Sequence, residues 1–190
     1  MLNRPFFLLT LAILIMAALG AGSPIAASEK SSSYTGLADL IPLALFLLLA
    51  LGVSFLCSIL EAVLLSVGPG QVQMMVEDGK KSGQILKNLR SNLDRSLSAI
   101  LTLNTVSHTA GAAGVGAEVA RVFGNTYLGI ASVILTLLVL VLSEIIPKTL
   151  GARHASALAS KSAILIHWLS LLLLPVVILL QGISTLLFGK

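Results

Sequence analysis

The chain is 190 residues long, 56% hydrophobic and only 11% charged, with a mean hydropathy of +1.01. That composition excludes an ordinary soluble domain, whose surface needs mixed charge throughout, and identifies a membrane protein. The net charge of +4 does not indicate a nucleic-acid partner: the basic residues border apolar runs, and no DNA- or RNA-reading motif accompanies them. Cys57 is the single cysteine, so neither an intrachain disulfide nor a multi-thiolate metal site can form.

Arg4, an apolar stretch from Pro5 to Gly20 and a small-residue segment up to Ala27 have the order of a secretory signal peptide over residues 1–27, cut after Gly22 or Ala27. A retained anchor is the alternative. Either way, the polar stretch Ser28 to Asp39 is expected outside, fixing a multi-pass plasma-membrane topology of the bacterial inner-membrane type. The remainder, residues 28–190, reads as one all-α membrane domain.

Leu40 to Val67 is long enough to cross a bilayer and ends at Gly68-Pro69-Gly70, a helix stop. Residues Gln71 to Arg95 carry Lys80, Lys81, Lys87, Arg90 and Arg95, which by the positive-inside rule places this loop in the cytoplasm. Leu86, Leu89, Leu93 and Leu97 recur at three- and four-residue spacing, predicting a pair of short amphipathic helices on the membrane surface. Ser96 to Phe123 is weakly apolar, but the small-xxx-small pairs Ala110/Gly114 and Ala112/Gly116 suit a second span buried against other helices. Gly124-Asn125 is the external turn, and Tyr127 to Pro147 is the third span. The last run, Ala163 to Phe188, is long enough to cross, yet His167-Trp168 and the central Pro175 also suit a bent interfacial helix.

Ionisable groups inside apolar runs are costly and default functional candidates, which singles out Glu61 and Glu144. Ser54, Ser58 and Glu61 fall at offsets of zero, four and seven, one column on one helix face. The plainer reading of each serine is back-bonding to the preceding turn. In Ser143-Glu144-Ile145-Ile146-Pro147 the proline lacks an N–H, so the Ser143 carbonyl loses its helical donor beside the Glu144 carboxylate. A cation satisfies both groups; the alternative is a proline kink with water or a hydroxyl donor at the gap and a protonated Glu144. Asn104 adds an amide oxygen, or else bridges helices. The oxygen set suits a hard cation such as Mg²⁺, Ca²⁺ or Na⁺. His108 is read as a packing residue rather than a ligand. An intramembrane enzyme is not expected, because Ser107-His108 lacks a protease context and no H-E-x-x-H motif occurs.

At these same positions the sequence resembles the transmembrane domain of the CorC/CNNM family of magnesium transporters. Ser54-Phe55-Leu56-Cys57-Ser58 is similar to the family's S-x-x-F-S element with cysteine for phenylalanine, and Glu61-Ala62-Val63-Leu64-Leu65-Ser66 to its E-T-A-L-L-S continuation. Leu103-Asn104-Thr105-Val106 resembles G-N-T-L with leucine for glycine, and Ser143-Glu144-Ile145-Ile146-Pro147-Lys148 resembles the G/S-E-I-x-P-K signature. The resemblance implies a homodimer with three spans per subunit, short cytoplasmic helices after the first span, and a juxtamembrane belt helix over residues 163–188. It implies Mg²⁺ transport, with export coupled to Na⁺ entry, and candidate metal ligands Ser54, Ser58, Asn104, Ser143 and Glu144. Glu61 and Pro147 stand as coupling or supporting residues. The rival expectation is a membrane module that senses Mg²⁺ or tethers a separate partner without transporting. Family members continue into paired cytoplasmic CBS modules, expected here in the remainder of a longer protein or on another chain.

Overall fold

The structure, a computed structural model, describes residues 37–179 and residue 182. The expected signal peptide and the last part of the expected belt lie outside those residues. Every element among the described residues is helical.

A short 3-10 turn, Leu37–Leu40, leads into α1, Ile41–Ser66. Pro42 sits in the first turn of α1, where its missing N–H has no helical acceptor to lose. α1 ends where expected, and Pro69 then opens α2, Pro69–Glu77, which is followed by α3, Lys81–Ser91. The turn between α2 and α3 uses Gly79 at φ +71°, a backbone conformation that favours glycine. α4, Leu93–Phe123, is a 31-residue helix, about 46 Å long at the α-helical rise. Gly124 at φ +86° breaks it, and Asn125–Tyr127 forms a 3-10 turn. The chain then descends as one rod in three parts: α5, Leu128–Leu138; a π-helical segment, Val139–Ile145; and α6, Ile146–Arg153. α7, Ala155–Leu172, ends in a turn at Leu173, before Pro175.

Three helical stretches are long and apolar enough to cross a membrane: Ala38–Ser66, Asn125–Arg153 and Ala155–Leu172. One of them covers the first expected span as far as Ser66, and another contains the third. α4 covers the expected second span without reaching that hydropathy, because Asn104, Ser107, His108, Glu118 and Arg121 interrupt it. Its extensive packing along α1 compensates. α7 begins eight residues ahead of the belt expected from Ala163 and meets the length and hydropathy of a span.

The short helices expected after the first span exist, but they pack differently from the surface pair expected. Leu86 and Leu89 of α3 lie in a core with Ala159, Ala163 and Ile166 of α7, so α7 rather than lipid covers their apolar side. Polar contacts fix this packing. Gln71 and Ser156 exchange two hydrogen bonds, at 3.1 and 2.9 Å, and Ser160 donates to Ser82 at 2.7 Å. Gly83 rests on the backbone of Met75, where any Cβ would clash.

α4 runs antiparallel to α1 and touches it closely through Gly111 on Ala50 and Gly114 on Phe46. The small-residue pairs expected to mediate this contact are therefore mostly displaced: Gly114 takes part, but Ala110 and Ala112 are exposed and Gly116 has open space around it. At the far end, Arg121 donates to the Asp39 carbonyl at 3.0 Å, tying the end of α4 to the turn before α1.

Candidate ion site

The site is built where α1, α4 and the π-helical segment meet. On α1, Ala50, Ser54 and Ser58 succeed each other at four-residue intervals, so all three point the same way, and all are buried. The antiparallel partner helix answers them rung by rung. Ser107 donates to the Ala50 carbonyl at 3.0 Å, and His108 Nε2 lies 2.5 Å from Ser54 Oγ. The same register, continued by one turn, brings Asn104 to the level of Ser58. Asn104 Oδ1 is buried without a hydrogen-bond partner, an orphaned acceptor of the kind that buried polar groups rarely leave unmatched.

The third rod runs parallel to α1. Its π-helical segment lies immediately before Pro147, and the Ile146 N–H bonds back to the Val141 carbonyl, five residues earlier. Wide turns of this kind recur at functional positions. Proline supplies no N–H to the carbonyl of Ser143, and that oxygen instead accepts the Ser58 hydroxyl at 2.6 Å. Ser54 donates to Ser143 Oγ at 3.1 Å, and Ser143 Oγ in turn donates to the Val139 carbonyl at 2.7 Å. Ser54, Ser58 and Ser143 are each 0% exposed. The Ser58 hydroxyl thus stands at the gap that Pro147 leaves.

Glu144 joins this cluster through histidine rather than through serine. His108 Nδ1 stands 3.9 Å from Glu144 Oε1, while the other ring nitrogen faces Ser54. His108, read from the sequence as a packing residue, is thus the link between two candidate ligands. Its four-residue spacing from Asn104 was the available signal, since it places both on one face of α4.

Glu61 lies further along the α1 column and belongs to a separate contact. Its carboxylate pairs with Lys148 at 3.2 Å, one residue beyond the buried Pro147. One turn on, Gly151 presses on the Ile59 carbonyl and on Ala62. Ser54, Ser58 and Ser143 therefore converge directly, Glu144 is attached through His108, Asn104 is at the same level with a free oxygen, and Glu61 pairs with Lys148 at the α6 end of the helix pair. Among the described residues no group of three His, Cys, Asp or Glu side chains is assembled. The donors brought together are hydroxyl, amide and main-chain oxygens, one carboxylate and one imidazole, a set that suits a six-coordinate divalent cation.

Long apolar helices around a buried polar cluster define a multi-pass helical membrane protein. Residues 44–190 match the family described as the cyclin M (CNNM) transmembrane N-terminal domain. The chain belongs to that family, the CorC/CNNM family. It is 36% identical over 131 residues to the UPF0053 protein sll1254 of Synechocystis, covering 69% of this chain and 38% of that protein. It is 30% identical over 128 residues to the UPF0053 inner membrane protein YfjD of Escherichia coli, covering 67% and 30%. A chloroplastic DUF21 domain-containing protein of Arabidopsis thaliana is 32% identical over 132 residues, covering 70% and 20%. The chain thus spans between a fifth and two fifths of the length of these relatives.

Proposed function

We propose that the chain moves Mg²⁺ across the membrane through the Ser54–Ser58–Asn104–Ser143–Glu144 cluster. The observation that carries this reading is the Ser143 carbonyl. It is released from its helix by Pro147, buried, and met by the Ser58 hydroxyl at the level of the orphaned Asn104 oxygen, with Ser54 bonded to the hydroxyl of the same residue. Such an oxygen set resists hydrocarbon unless it is mutually satisfied or bound to a cation. Mg²⁺ sheds water reluctantly, so a site that takes it must offer several oxygens at short range. Serine hydroxyls that now donate to protein oxygens would rotate to present lone pairs, and Glu144 would supply negative charge. Release would follow when the rods rock apart and water replaces the neutral ligands.

Outward movement of Mg²⁺ coupled to Na⁺ entry, a homodimeric assembly, and a plasma-membrane location with the mature N-terminus outside complete the proposal, and the family resemblance supports them. The CBS module expected elsewhere would supply regulation by adenine nucleotide. A second reading, a Mg²⁺ sensor or tethering module without transport, draws on the fact that Ser54, Ser58 and Ser143 already satisfy one another. Flux and binding in liposomes holding the purified chain separate the two. Mg²⁺ flux that falls at least about tenfold in Glu144→Gln supports transport through the site. Binding without flux favours the sensor, and unchanged flux and binding in the variant remove Glu144 and the site with it.

A further inference from the structure

We infer that Arg90 and Ser170 hold the phosphate of an anionic membrane phospholipid where α3 meets α7, at a site separate from the ion cluster. The observation that carries this is a pair of orphaned polar groups. Arg90 Nη1 and Ser170 Oγ are both buried, and neither has a hydrogen-bond partner among the described residues. A guanidinium carries a charge and five donors, so enclosing one of its nitrogens without an acceptor is costly. Asp94, four residues further on, is exposed and makes no ion pair with it. The serine is equally out of pattern. Ser98, Thr102, Ser132 and Thr136 return their hydroxyls to the carbonyl four residues back, the usual outlet inside a helix, whereas the Ser170 hydroxyl makes no such bond.

Both groups belong to one packed region. Arg90 follows Leu86 by four residues and Ser82 by eight, and Ser170 follows Ile166 by four and Ala163 by seven, so each shares the face that its helix buries in the common core. Leu89 and Leu169, the residues immediately before them, are members of the same buried cluster. Arg90 is half-buried rather than enclosed, so an acceptor from outside the protein can reach it. Lys87 and Arg95 are exposed on the same stretch of chain, which leaves the surroundings basic despite Asp94.

Position along the membrane normal then points to the class of ligand. α4 starts three residues after Arg90 and, at about 46 Å, is longer than the hydrocarbon core of about 30 Å, so its Leu93 end reaches the headgroup layer. Trp168, two residues before Ser170, is exposed and meets His167 edge-on, an aromatic placement typical of that layer. A phosphate group supplies what the two orphans lack: paired anionic oxygens for the arginine fork and a further acceptor for the serine hydroxyl. Lys87 and Arg95 disfavour a headgroup that carries its own cation, which selects an anionic lipid such as phosphatidylglycerol.

The test follows the thermal midpoint of the purified chain in lipid-free detergent and after addition of phosphatidylglycerol, phosphatidylcholine or inorganic phosphate, with native mass spectrometry to count retained lipid. Phosphatidylglycerol should raise the wild-type midpoint, because a ligand that binds only the folded chain stabilises it, and phosphatidylcholine should raise it less. Arg90→Met keeps the stem but removes charge and donors. It should be at least as stable as wild type without lipid, yet bind phosphatidylglycerol about tenfold more weakly. Ser170→Ala should weaken binding about threefold, and Lys87→Met, which removes an exposed charge from the same helix, should stay close to wild type. An Arg90→Met chain that fails to fold, or melts below wild type without lipid, shows that the guanidinium is already satisfied within the protein and overturns the inference. Equal losses of lipid in Arg90→Met and Lys87→Met overturn it too, since they mark general attraction to a basic surface. Stabilisation by inorganic phosphate but not by phosphatidylglycerol assigns the pair to a soluble anion, and no stabilisation by any additive removes the site; either result sinks the lipid reading.

Discussion

Ser58 on α1 donates its hydroxyl hydrogen to the main-chain carbonyl of Ser143, across 2.6 Å, in a contact fully shielded from solvent. The acceptor is available because Pro147 four residues later has no N–H, and the π-helical turn leaves room for the hydroxyl to approach. A sequence-local event in one rod thus creates the bond that joins it to another.

Removing that donor should show in stability before it shows in function. Ser58→Ala leaves a buried carbonyl without its hydroxyl partner, a loss of about 1–3 kcal/mol. The expected result is a lowered thermal midpoint in detergent, with Ser66→Ala on the exposed end of α1 unchanged as control. A midpoint equal to wild type in both would show that the carbonyl is satisfied in some other way.

Pro147→Ala should separate fold from ion binding. Restoring an N–H at residue 147 offers the Ser143 carbonyl a donor within its own helix, so helix stability should hold or rise while Mg²⁺ affinity falls by about tenfold, in the range seen when ligand-supporting groups are lost. Hydrogen exchange at residue 147 alongside a Mg²⁺ titration reads both effects. A protected amide with full Mg²⁺ affinity would show that the freed carbonyl plays no part in binding.

Glycine positions provide a steric test of the rod packing. A Cβ at Gly111 would collide with Ala50, and one at Gly151 would stand 2.9 Å from both the Ile59 carbonyl and Ala62, whereas one at Gly116 meets nothing within 4 Å. Gly111→Leu and Gly151→Leu should each cost about 1–3 kcal/mol by overpacking, and Gly116→Ala should cost far less. Equal thermal midpoints for all three variants would contradict the close approaches.

The Glu61–Lys148 pair should couple measurably but weakly. At 3.2 Å, with Lys148 partly exposed, the two charges are worth about 1 kcal/mol or less in a double-mutant cycle. Lys148→Glu alone places two carboxylates together, and adding Glu61→Lys should recover much of the lost stability. Strict additivity of the two substitutions would mean that the pair does not form.

What could be read from the sequence followed from rules acting along a single helix. The four-residue spacing of Ser54 and Ser58 and the proline rule at Ser143 needed no partner to be recognised, and both hold in the structure. The contacts that escaped depend on register between helices. His108 becomes a bridge only because α4 runs antiparallel to α1 with Gly111 on Ala50, and Glu61 finds Lys148 because α1 and the third rod run parallel. The small-residue pattern on α4 failed for the same reason: several phases of glycine and alanine were available, and the side chains of α1 selected Gly111 and Gly114. The hydropathy of α7 was legible, whereas its role as the cover for Leu86 and Leu89 was not.

At Gly151 only the Ala62 methyl and the Ile59 main chain stand between α6 and α1, with no long side chain in the gap. Two rods in such contact resist being driven closer and have nothing to interdigitate or to reshuffle between rotamers. Relative motion of the pair is thereby steered toward pivoting about this point, which places the largest excursions at levels distant from it, near Ser54 and Ser143 rather than at the Lys148 end.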